Sequence, residues 1–315
     1  MKHRVYYNEI MEEWFGIHRS DFAKSTYLKY HRTYEKYIYP FFRVLKVRKI
    51  DNNVLKSYVE FLEKEILKIK KSTGAETARC AAMLVNRCLE YAEEKKAITS
   101  APRLNMKIRS CKKEIYVFSA EEQSRIEKYC ISNPGMYSAG ILLCLYTGLR
   151  IGELCALKWH DIDLDEGTIR VRRTVQRLSD KSGRLTSLTV SEPKTPSSIR
   201  TVPMPECIVN VLRKLYTEQS ERGYMFSSCA DTPAEPRTFQ YRYRKCLENA
   251  GVRYRSFHTL RHTFATRCIS CGIDIKTLSE IMGHSSVRIT LEYYCHTSME
   301  RKKEQVNRLS FLSCN

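Results

Sequence analysis

The spacing of apolar residues changes in kind near residue 102, and this change constrains the fold more than any other feature of the sequence. Before it, apolar side chains recur at helical intervals over four segments. They are residues 9–15, 25–39, 51–70 and 76–94. Pro40 is expected to close the second helix and Asp51 to cap the third. The tyrosines of the second segment share one helical face, which we interpret as core, so this part predicts a small helical bundle.

The chain after residue 114 mixes helical and strand-like patterns. Ser119 and Glu122 have the spacing of a capping box, and an apolar helix is expected to end at Gly148. Apolar and polar residues alternate over three short stretches, as in half-buried strands. These stretches are 168–178, 185–190 and 198–204. From Pro205 onward the pattern is helical again, so we expect helices around one small sheet.

The predicted fold is therefore mainly α with a small antiparallel β-sheet. We place a helical domain at 1–102, a basic linker at 103–114 and an α+β domain at 115–315. At 315 residues the chain is long enough for two domains, each with its own core.

Positive charge is spread over both parts of the chain. Residues 1–114 carry 25 basic and 14 acidic side chains, the remainder 29 and 21, and the net charge is +19. Such an excess favours a polyanionic partner, of which nucleic acid is the first candidate and an anionic membrane surface the alternative. No apolar stretch reaches the roughly 18 residues of a membrane span. The N-terminus lacks the apolar core of a signal peptide, so we expect a cytoplasmic protein with reduced thiols.

Several common catalytic devices are missing from the sequence. It has no Gly-Lys-Ser/Thr phosphate loop, which argues against nucleotide hydrolysis. Cys268 and Cys271 form a single Cys-x-x-Cys without a second pair, and the carboxylates do not cluster as in a two-metal nuclease. An enzyme acting on nucleic acid is therefore expected to use neither metal nor any other cofactor.

Cationic and hydrogen-bonding residues recur at short spacings in the second part. Taken alone, an Arg-x-x-Glu is usually an ion pair on a helix surface and a His-x-x-Arg a satisfied surface pair, so each of these fragments is a weak signal. They are Arg150 with Glu153, His258 with Arg261, and Gly283-His284 at an expected helix start, followed ten residues later by Tyr293-Tyr294. We interpret His262 as structural, on another face of its helix from His258.

In this order the motifs resemble those of the tyrosine recombinases, the phage integrase family. The matching segments are 147–154 (TGLRIGEL), 192–203 (EPKTPSSIRTVP), 258–266 (HTLRHTFAT), 278–284 (LSEIMGH) and 290–296 (TLEYYCH). Residues 5–100 also resemble the family's helical, SAM-like core-binding domain, so the resemblance covers nearly the whole chain. It implies that the second domain is the α+β catalytic domain of a site-specific DNA recombinase.

The resemblance implies a role for each residue of the motifs. Arg150 and Arg261 would bind the scissile phosphate, because a guanidinium stays charged and binds phosphate in a bidentate way. The other roles also follow the family. His284 donates a further hydrogen bond to the phosphate, and Glu153 orients Arg150 and His258. Tyr294 attacks to give a 3′-phosphotyrosyl link with His258 as its acid/base partner, and Lys194 protonates the leaving 5′-oxygen. Neither metal nor ATP is needed.

Two of these assignments have competitors in the sequence. Tyr293 precedes Tyr294, but only Tyr294-Cys295-His296 fits the Tyr-x-His triplet of the family. Lys181 and Arg200 lie in the same hairpin as Lys194 and are alternative cations. Two other activities also stay open, a catalytically silent DNA-binding regulator on the same scaffold and a type IB-like topoisomerase.

The resemblance also implies partners. We expect double-stranded DNA target sites gripped by both domains, a homo-tetramer on two such sites, and no membrane. Arg79 and Arg87 on the fourth helix are candidate DNA contacts, and accessory directionality or host DNA-bending factors are further candidates. The tail at 298–312 is expected to dock on a neighbouring protomer or in cis. Since the core-binding pattern begins almost at once, we expect no separate arm-binding domain, which favours an inversion, resolution or mobile-element enzyme.

Overall fold

A computed structural model describes residues 5–67, 74–106, 115–179, 186–193, 196–216, 223–227, 229 and 231–294. The chain divides into two units, Met1–Lys113 with Leu178–Ser187, and Glu114–Arg177 with Leu188–Asn315. Each unit has a hydrophobic core of its own. The linker over 103–114 stays a prediction, because 107–114 lie outside the described residues.

The first unit is a helical bundle. Its helices are α1 (Tyr7–Ile17), α2 (Lys24–Thr33), α3 (Tyr39–Phe42), α4 (Asn52–Leu62) and α5 (Gly74–Glu94). Asp51 caps α4 as predicted, because its carboxylate accepts the N–H groups of Asn53 and Val54 at 2.9 Å. α5 has 21 residues, yet no helix in the described part of the chain is long and apolar enough to cross a membrane.

Pro40 does not close the second helix, which corrects the sequence prediction. A π-helical stretch, Tyr34–Ile38, follows α2 and leads directly into α3. The N–H of Tyr39 donates to the carbonyl of Tyr34, five residues back. Pro40 then lies in the first turn of α3, where a missing N–H is tolerated. Three of the four tyrosines of the predicted stripe are buried in the core, with Tyr34 at 3% exposure, and the fourth, Tyr30, packs partly buried against it.

The rest of the structure consists of helices and two small sheets, and the ends of β3 and β4 that fall within Leu178–Ser187 belong to the first unit. The helices are α6 (Ala120–Ser132), α7 (Met136–Thr147), α8 (Ile151–Cys155), α9 (Glu206–Arg213), α10 (Pro236–Asn249), α11 (His258–Ser270), α12 (Ile275–Met282) and α13 (Val287–Tyr294). The strands are β1 (Ile162–Asp163), β2 (Thr168–Val171), β3 (Thr174–Ser179), β4 (Thr186–Ser191) and β5 (Arg200–Pro203). The fold is thus mainly α with small antiparallel sheets, as predicted.

The strands do not form the single sheet that the sequence suggested. β1, β2 and β5 form one antiparallel sheet, in which Ile169 lies opposite Ile162 and Val202. β3 and β4 form a separate two-stranded sheet. The expected strand 168–178 is interrupted at residues 172 and 173, where the guanidinium of Arg173 pairs with the buried carboxylate of Asp161.

α7 lies in the core of the second unit. Its apolar run is buried, and it ends at Gly148 in the left-handed conformation (φ 66°), as the sequence predicted. The capping box at the start of α6 is also confirmed: the Ser119 hydroxyl accepts the N–H of Glu122 at 3.2 Å, and the Glu122 carboxylate accepts the N–H of Ser119 at 3.0 Å.

The packing around α7 gives a prediction about stability. A Cβ atom on Gly140 would overlap Cζ of Phe239 and lie 3.2 Å from Cε1 of Phe226. Gly140→Ala is therefore expected to lower the free energy of unfolding by about 1–3 kcal/mol through overpacking. Urea denaturation followed by circular dichroism measures the change.

The same substitution at Gly16 is the control. Gly16 lies on the exposed side of α1, and a Cβ atom added there would meet nothing within 4 Å. Gly16→Ala is expected to raise the free energy of unfolding by about 0.5–1 kcal/mol, because alanine favours the helix. If both variants shifted stability in the same direction, close packing at Gly140 would not be the cause.

Candidate active site

One cleft of about 560 Å³ in the second unit brings together residues from separate motifs. The predicted site residues that line it are Arg150, Glu153, His258, Arg261 and His284. Lys194 and Lys181 lie outside the described residues. Tyr293 and Tyr294 are the last two residues of α13. Arg79 and Arg87 are exposed on α5 of the first unit, and Arg87 pairs with Glu90 at 3.6 Å.

The C-terminal end of α12 is the framework of this cleft. Gly283 ends the helix in the left-handed conformation (φ 62°), and the N–H groups of Gly283 and His284 bond back to carbonyls of the preceding turn. The next three carbonyls are left without partners inside the helix. Three arginines donate to them in order: Arg200 Nε to Ile281 at 2.6 Å, Arg261 Nη2 to Met282 at 2.6 Å, and Arg150 Nη2 to Gly283 at 3.1 Å.

Arg261 joins the ends of two helices. It lies in the first turn of α11, is 2% exposed, and donates from Nη1 to the carbonyl of Gly148 at 2.7 Å. That carbonyl ends α7, so the guanidinium lies at the negative end of both α7 and α12. A side chain on Gly148 would clash with Phe264, at 2.5 Å, so the turn requires glycine.

Glu153 is the anion among these cations. Its Oε1 accepts from Arg150 Nη1 at 2.7 Å and from Arg200 Nη1 at 3.1 Å, and its Oε2 accepts from Arg200 Nη2 at 3.0 Å. Its Oε2 also accepts the backbone N–H of Arg150 at 2.9 Å, which caps α8. Burial alone would raise the pKa of Glu153, but hydrogen bonds and charge from Arg200, and then from Arg150, lower it to about 2.

Glu153 thus bonds to both Arg150 and Arg200, while its role in orienting Arg150 and His258 stays a prediction. Its effect on His258 is through charge alone, which favours the protonated ring.

The two predicted histidines of the cleft are neutral at pH 7. His258 is the first residue of α11 and remains exposed at the mouth of the cleft. Partial desolvation, then the neighbouring His262, Arg261 and Arg150, lower its pKa to about 4. Burial and then Arg261 and Arg150 lower the pKa of His284 to about 3. Each ring can therefore donate one hydrogen bond and accept another.

Two expectations about the histidines were wrong. His284 is not at a helix start: it lies in the turn between α12 and α13, and its N–H completes the cap of α12 by donating to Ser279 at 3.1 Å. His262 shares a face with His258, since the two rings meet edge to face at 4.6 Å and both line the cleft. A separation of four residues brings side chains together on a helix.

Sequence reasoning missed two residues that shape the site. Arg200, weighed only as a rival of Lys194, has a side chain that is 6% exposed and bound to Glu153. Thr290, fully buried, places its hydroxyl 2.8 Å from Nδ1 of His284 and fixes the ring. Its position six residues after His284, just before the tyrosines, was the only available signal.

The buried carboxylate gives a prediction with a definite pH dependence. Glu153→Gln is expected to cost about 3 kcal/mol of stability at pH 7, because two guanidinium groups lose their counterion. The pKa of Glu153 is lowered when folded, so its contribution is complete above the unfolded pKa and is lost as the pH falls. The difference between the wild type and Glu153→Gln should therefore narrow by about 1 kcal/mol at pH 3.5.

Urea unfolding of both proteins at pH 7 and pH 3.5 measures this difference. Glu166→Gln, at an exposed carboxylate of the same unit, serves as the matched control and should change stability by less than about 0.5 kcal/mol at either pH. An unchanged gap between wild type and Glu153→Gln at the two pH values would contradict the role given to Arg200 and Arg150.

The chain matches two family models. Residues 112–301 match the phage integrase family, and residues 6–63 match the phage integrase N-terminal SAM-like domain. Among curated proteins, a XerC-like tyrosine recombinase of Caldanaerobacter subterraneus subsp. tengcongensis is 29% identical over 96% of this chain and 82% of its own length. The integrase of Staphylococcus phage L54a is 29% identical over 59% of this chain and 57% of its own length.

Solved structures share the fold. The Tn1549 transposon integrase, in complex with a circular intermediate DNA, superposes with a TM-score of 0.74 at 20% identity, over 97% of this chain and all of that one. A lambda integrase tetramer bound to a Holliday junction gives a TM-score of 0.62 at 18% identity, over 92% and 78% of the two chains. With the family model matching well over half of its residues, the chain belongs to the phage integrase family and is a tyrosine-type site-specific recombinase.

Proposed function

We propose that the cleft binds the scissile phosphate of duplex DNA, and that the chain cuts and rejoins the strand through a 3′-phosphotyrosyl intermediate. The observation that carries this proposal is the fixed arrangement of Arg150 and Arg261. Backbone carbonyls hold both guanidinium groups, and both line one cleft with His258 and His284.

This arrangement suits the charge that develops during phosphoryl transfer. Negative charge grows on the non-bridging oxygens in the transition state, and donors that are already in place stabilise it without reorganisation. Arg150 and Arg261 supply two such cations, and neutral His284 supplies an N–H donor whose ring Thr290 orients. The anionic phosphate would in turn favour protonation of the nearby histidines.

The proposed reaction is a transesterification. The phenol oxygen of Tyr294 forms a bond to phosphorus while the bond to the 5′-oxygen breaks. His258 accepts the phenol proton, and Lys194 gives a proton to the leaving 5′-oxygen. The phosphotyrosyl ester conserves the energy of the phosphodiester, so the reverse reaction with a 5′-hydroxyl rejoins the strand without ATP.

The known relatives support the choice of partners. Integrases of this fold are seen on DNA, in one case as a tetramer on a Holliday junction. We therefore propose double-stranded target sites, a homo-tetramer on two of them, and the domain boundaries expected from the sequence, with Arg79 and Arg87 among the DNA contacts. The similar proteins include the integrases of a phage and of a transposon, which favours DNA integration or excision over simple resolution.

The nucleophile is tested with a nicked suicide duplex that carries a site the protein is shown to bind. Wild-type protein should form a covalent complex visible on a denaturing gel. Tyr294→Phe should lower its yield by roughly 10³-fold or more, whereas Tyr293→Phe, the adjacent control, should retain it. A complex that survives in Tyr294→Phe and is lost in Tyr293→Phe would reverse the assignment.

The same assay separates the alternative functions. Binding without any covalent complex would favour the silent regulator. Covalent complexes with relaxation of supercoiled DNA, but without exchange between two sites, would favour the topoisomerase.

The general acid is tested by changing the leaving group. Lys194→Ala should slow cleavage of ordinary DNA by about 10²–10⁴-fold. If sulfur replaces the 5′-bridging oxygen, the leaving group is a thiolate and needs no proton, since a thiol is far more acidic than an alcohol (about 8.5 is the pKa of the cysteine thiol). Cleavage of that substrate should then be within about 10-fold of the wild type. Lys181→Ala is the control, and a defect in Lys194→Ala that sulfur does not relieve would rule out the proton-donor role.

A further inference from the structure

Arg200 lies on β5 and connects this strand to three other parts of the second unit. From the first position of β5, its Nε donates to the carbonyl of Ile281 at 2.6 Å. Its Nη1 and Nη2 donate to the two carboxylate oxygens of Glu153 at 3.1 and 3.0 Å. Nη1 also donates to the carbonyl of Ser198 at 3.1 Å. One side chain thereby links β5, α8, the end of α12 and the short turn before β5.

We propose that Arg200 is a positioning residue for strand cleavage: it fixes the Glu153 carboxylate and the end of α12, and through them Arg150 and His284. This inference rests on the proposed function, since it concerns the same phosphate site. It gives a role in the reaction to a residue that does not meet the substrate.

Burial and bonding show why Arg200 acts through its neighbours. Its side chain is only 6% exposed, whereas that of Arg150 is 36% exposed. Its guanidinium already makes four hydrogen bonds to protein acceptors. Breaking these bonds to bind a phosphate would leave Glu153 with one cation fewer in a buried position. Arg150 and Arg261 both line the cleft, whereas Arg200 does not.

The contact with Gly283 shows how closely Arg200 fits the turn. A Cβ atom on Gly283 would lie 3.0 Å from Cδ and Nη1 of Arg200 and 3.1 Å from its Cζ. The guanidinium therefore packs directly on the backbone of the residue that precedes His284. The carbonyl of the same glycine binds Arg150, so Arg200 fixes both the turn that carries His284 and the acceptor that holds Arg150.

The segment before β5 gives Arg200 a second link to the reaction. Ser198, whose carbonyl it binds, follows Lys194 by four residues and lines the cleft. The same side chain thus holds the backbone of a described cleft residue, Ser198, close in sequence to the proposed general acid.

Arg200 also determines the charge state of Glu153. Arg200 from β5 and Arg150, the N-cap residue of α8, bond to this carboxylate, and its charge is also felt by His258 of α11 and Cys144 of α7. Burial favours the neutral acid, and Arg200 makes the largest opposing contribution to the pKa. Without Arg200, Glu153 should take up a proton well above its present pKa, and the neutral carboxyl would hold Arg150 less firmly.

The test is the pH profile of single-turnover cleavage of the suicide duplex. Arg200→Gln should cleave about 10- to 100-fold more slowly at pH 8, a loss expected for a misplaced catalytic group. Between pH 8 and 5.5 the cleavage rate of this variant should decrease more than that of the wild type, because Glu153 becomes protonated. The double variant Arg200→Gln/Glu153→Gln should not show this additional fall in rate at low pH. Arg200→Lys keeps the charge, so it should recover part of the rate and should not show the additional fall either.

Arg173→Gln is the matched control. Arg173 also pairs with a buried carboxylate of the second unit, that of Asp161, but it does not line the cleft. The Arg173→Gln variant should be less stable in thermal unfolding, but the pH profile of its cleavage rate should keep the wild-type shape. If the rate of Arg200→Gln were lowered equally at every pH, the role of Arg200 would be merely structural and the inference would be overturned. A cleavage rate of Arg200→Gln equal to that of the wild type would also overturn it. Absence of a covalent complex with wild-type protein would instead refute the proposed function.

Discussion

Three successive carbonyls at the end of α12 bind three guanidinium groups, and the cleft depends on this interaction. Arginines placed so close together repel one another unless nearby anions or dipoles compensate. The last carbonyls of a helix carry partial negative charge, and the left-handed turn at Gly283 leaves those of Ile281, Met282 and Gly283 free to accept. Glu153 adds a full negative charge between two of the guanidiniums. The hydrogen bonds that complete the end of α12 are therefore the same bonds that position the arginines of the cleft.

The cation cluster also determines the state of the histidines. Positive charge from Arg150 and Arg261 disfavours the protonated rings of His258 and His284, so both stay neutral at physiological pH. A neutral imidazole can accept a proton as well as donate a hydrogen bond, whereas an imidazolium can only donate. In the proposed reaction, the charges that bind the phosphate would thus also keep the His258 ring unprotonated before the substrate binds.

Local patterns in the sequence predicted the fold class and most elements, because caps, turns and periodic apolar residues act over a few positions. Asp51, Ser119 and Gly148 are examples that the structure confirms. The prediction that Pro40 ends the helix was wrong because a π-helical stretch precedes it and Pro40 lies in the first turn of the next helix. The formation of such a stretch depends on packing. The motifs likewise placed five residues in one cleft, but Arg200 meets Glu153 across 47 positions. No local spacing carries that information, so the pairing emerged only from the structure.

The three arginines differ in exposure and in the partners that hold them. Arg200, 6% exposed in its side chain, is bound to Glu153 and Ile281; Arg261, 2% exposed, is fixed by the ends of α7 and α12 while still lining the cleft. Arg150 is 36% exposed and has one carboxylate and one carbonyl as partners. A ligand phosphate would therefore meet one arginine that can adjust and one that cannot. Arg150 could then adjust to the bound phosphate while Arg261 fixes its orientation. The more buried Arg200 holds Glu153 and the end of α12, on which the positions of both depend.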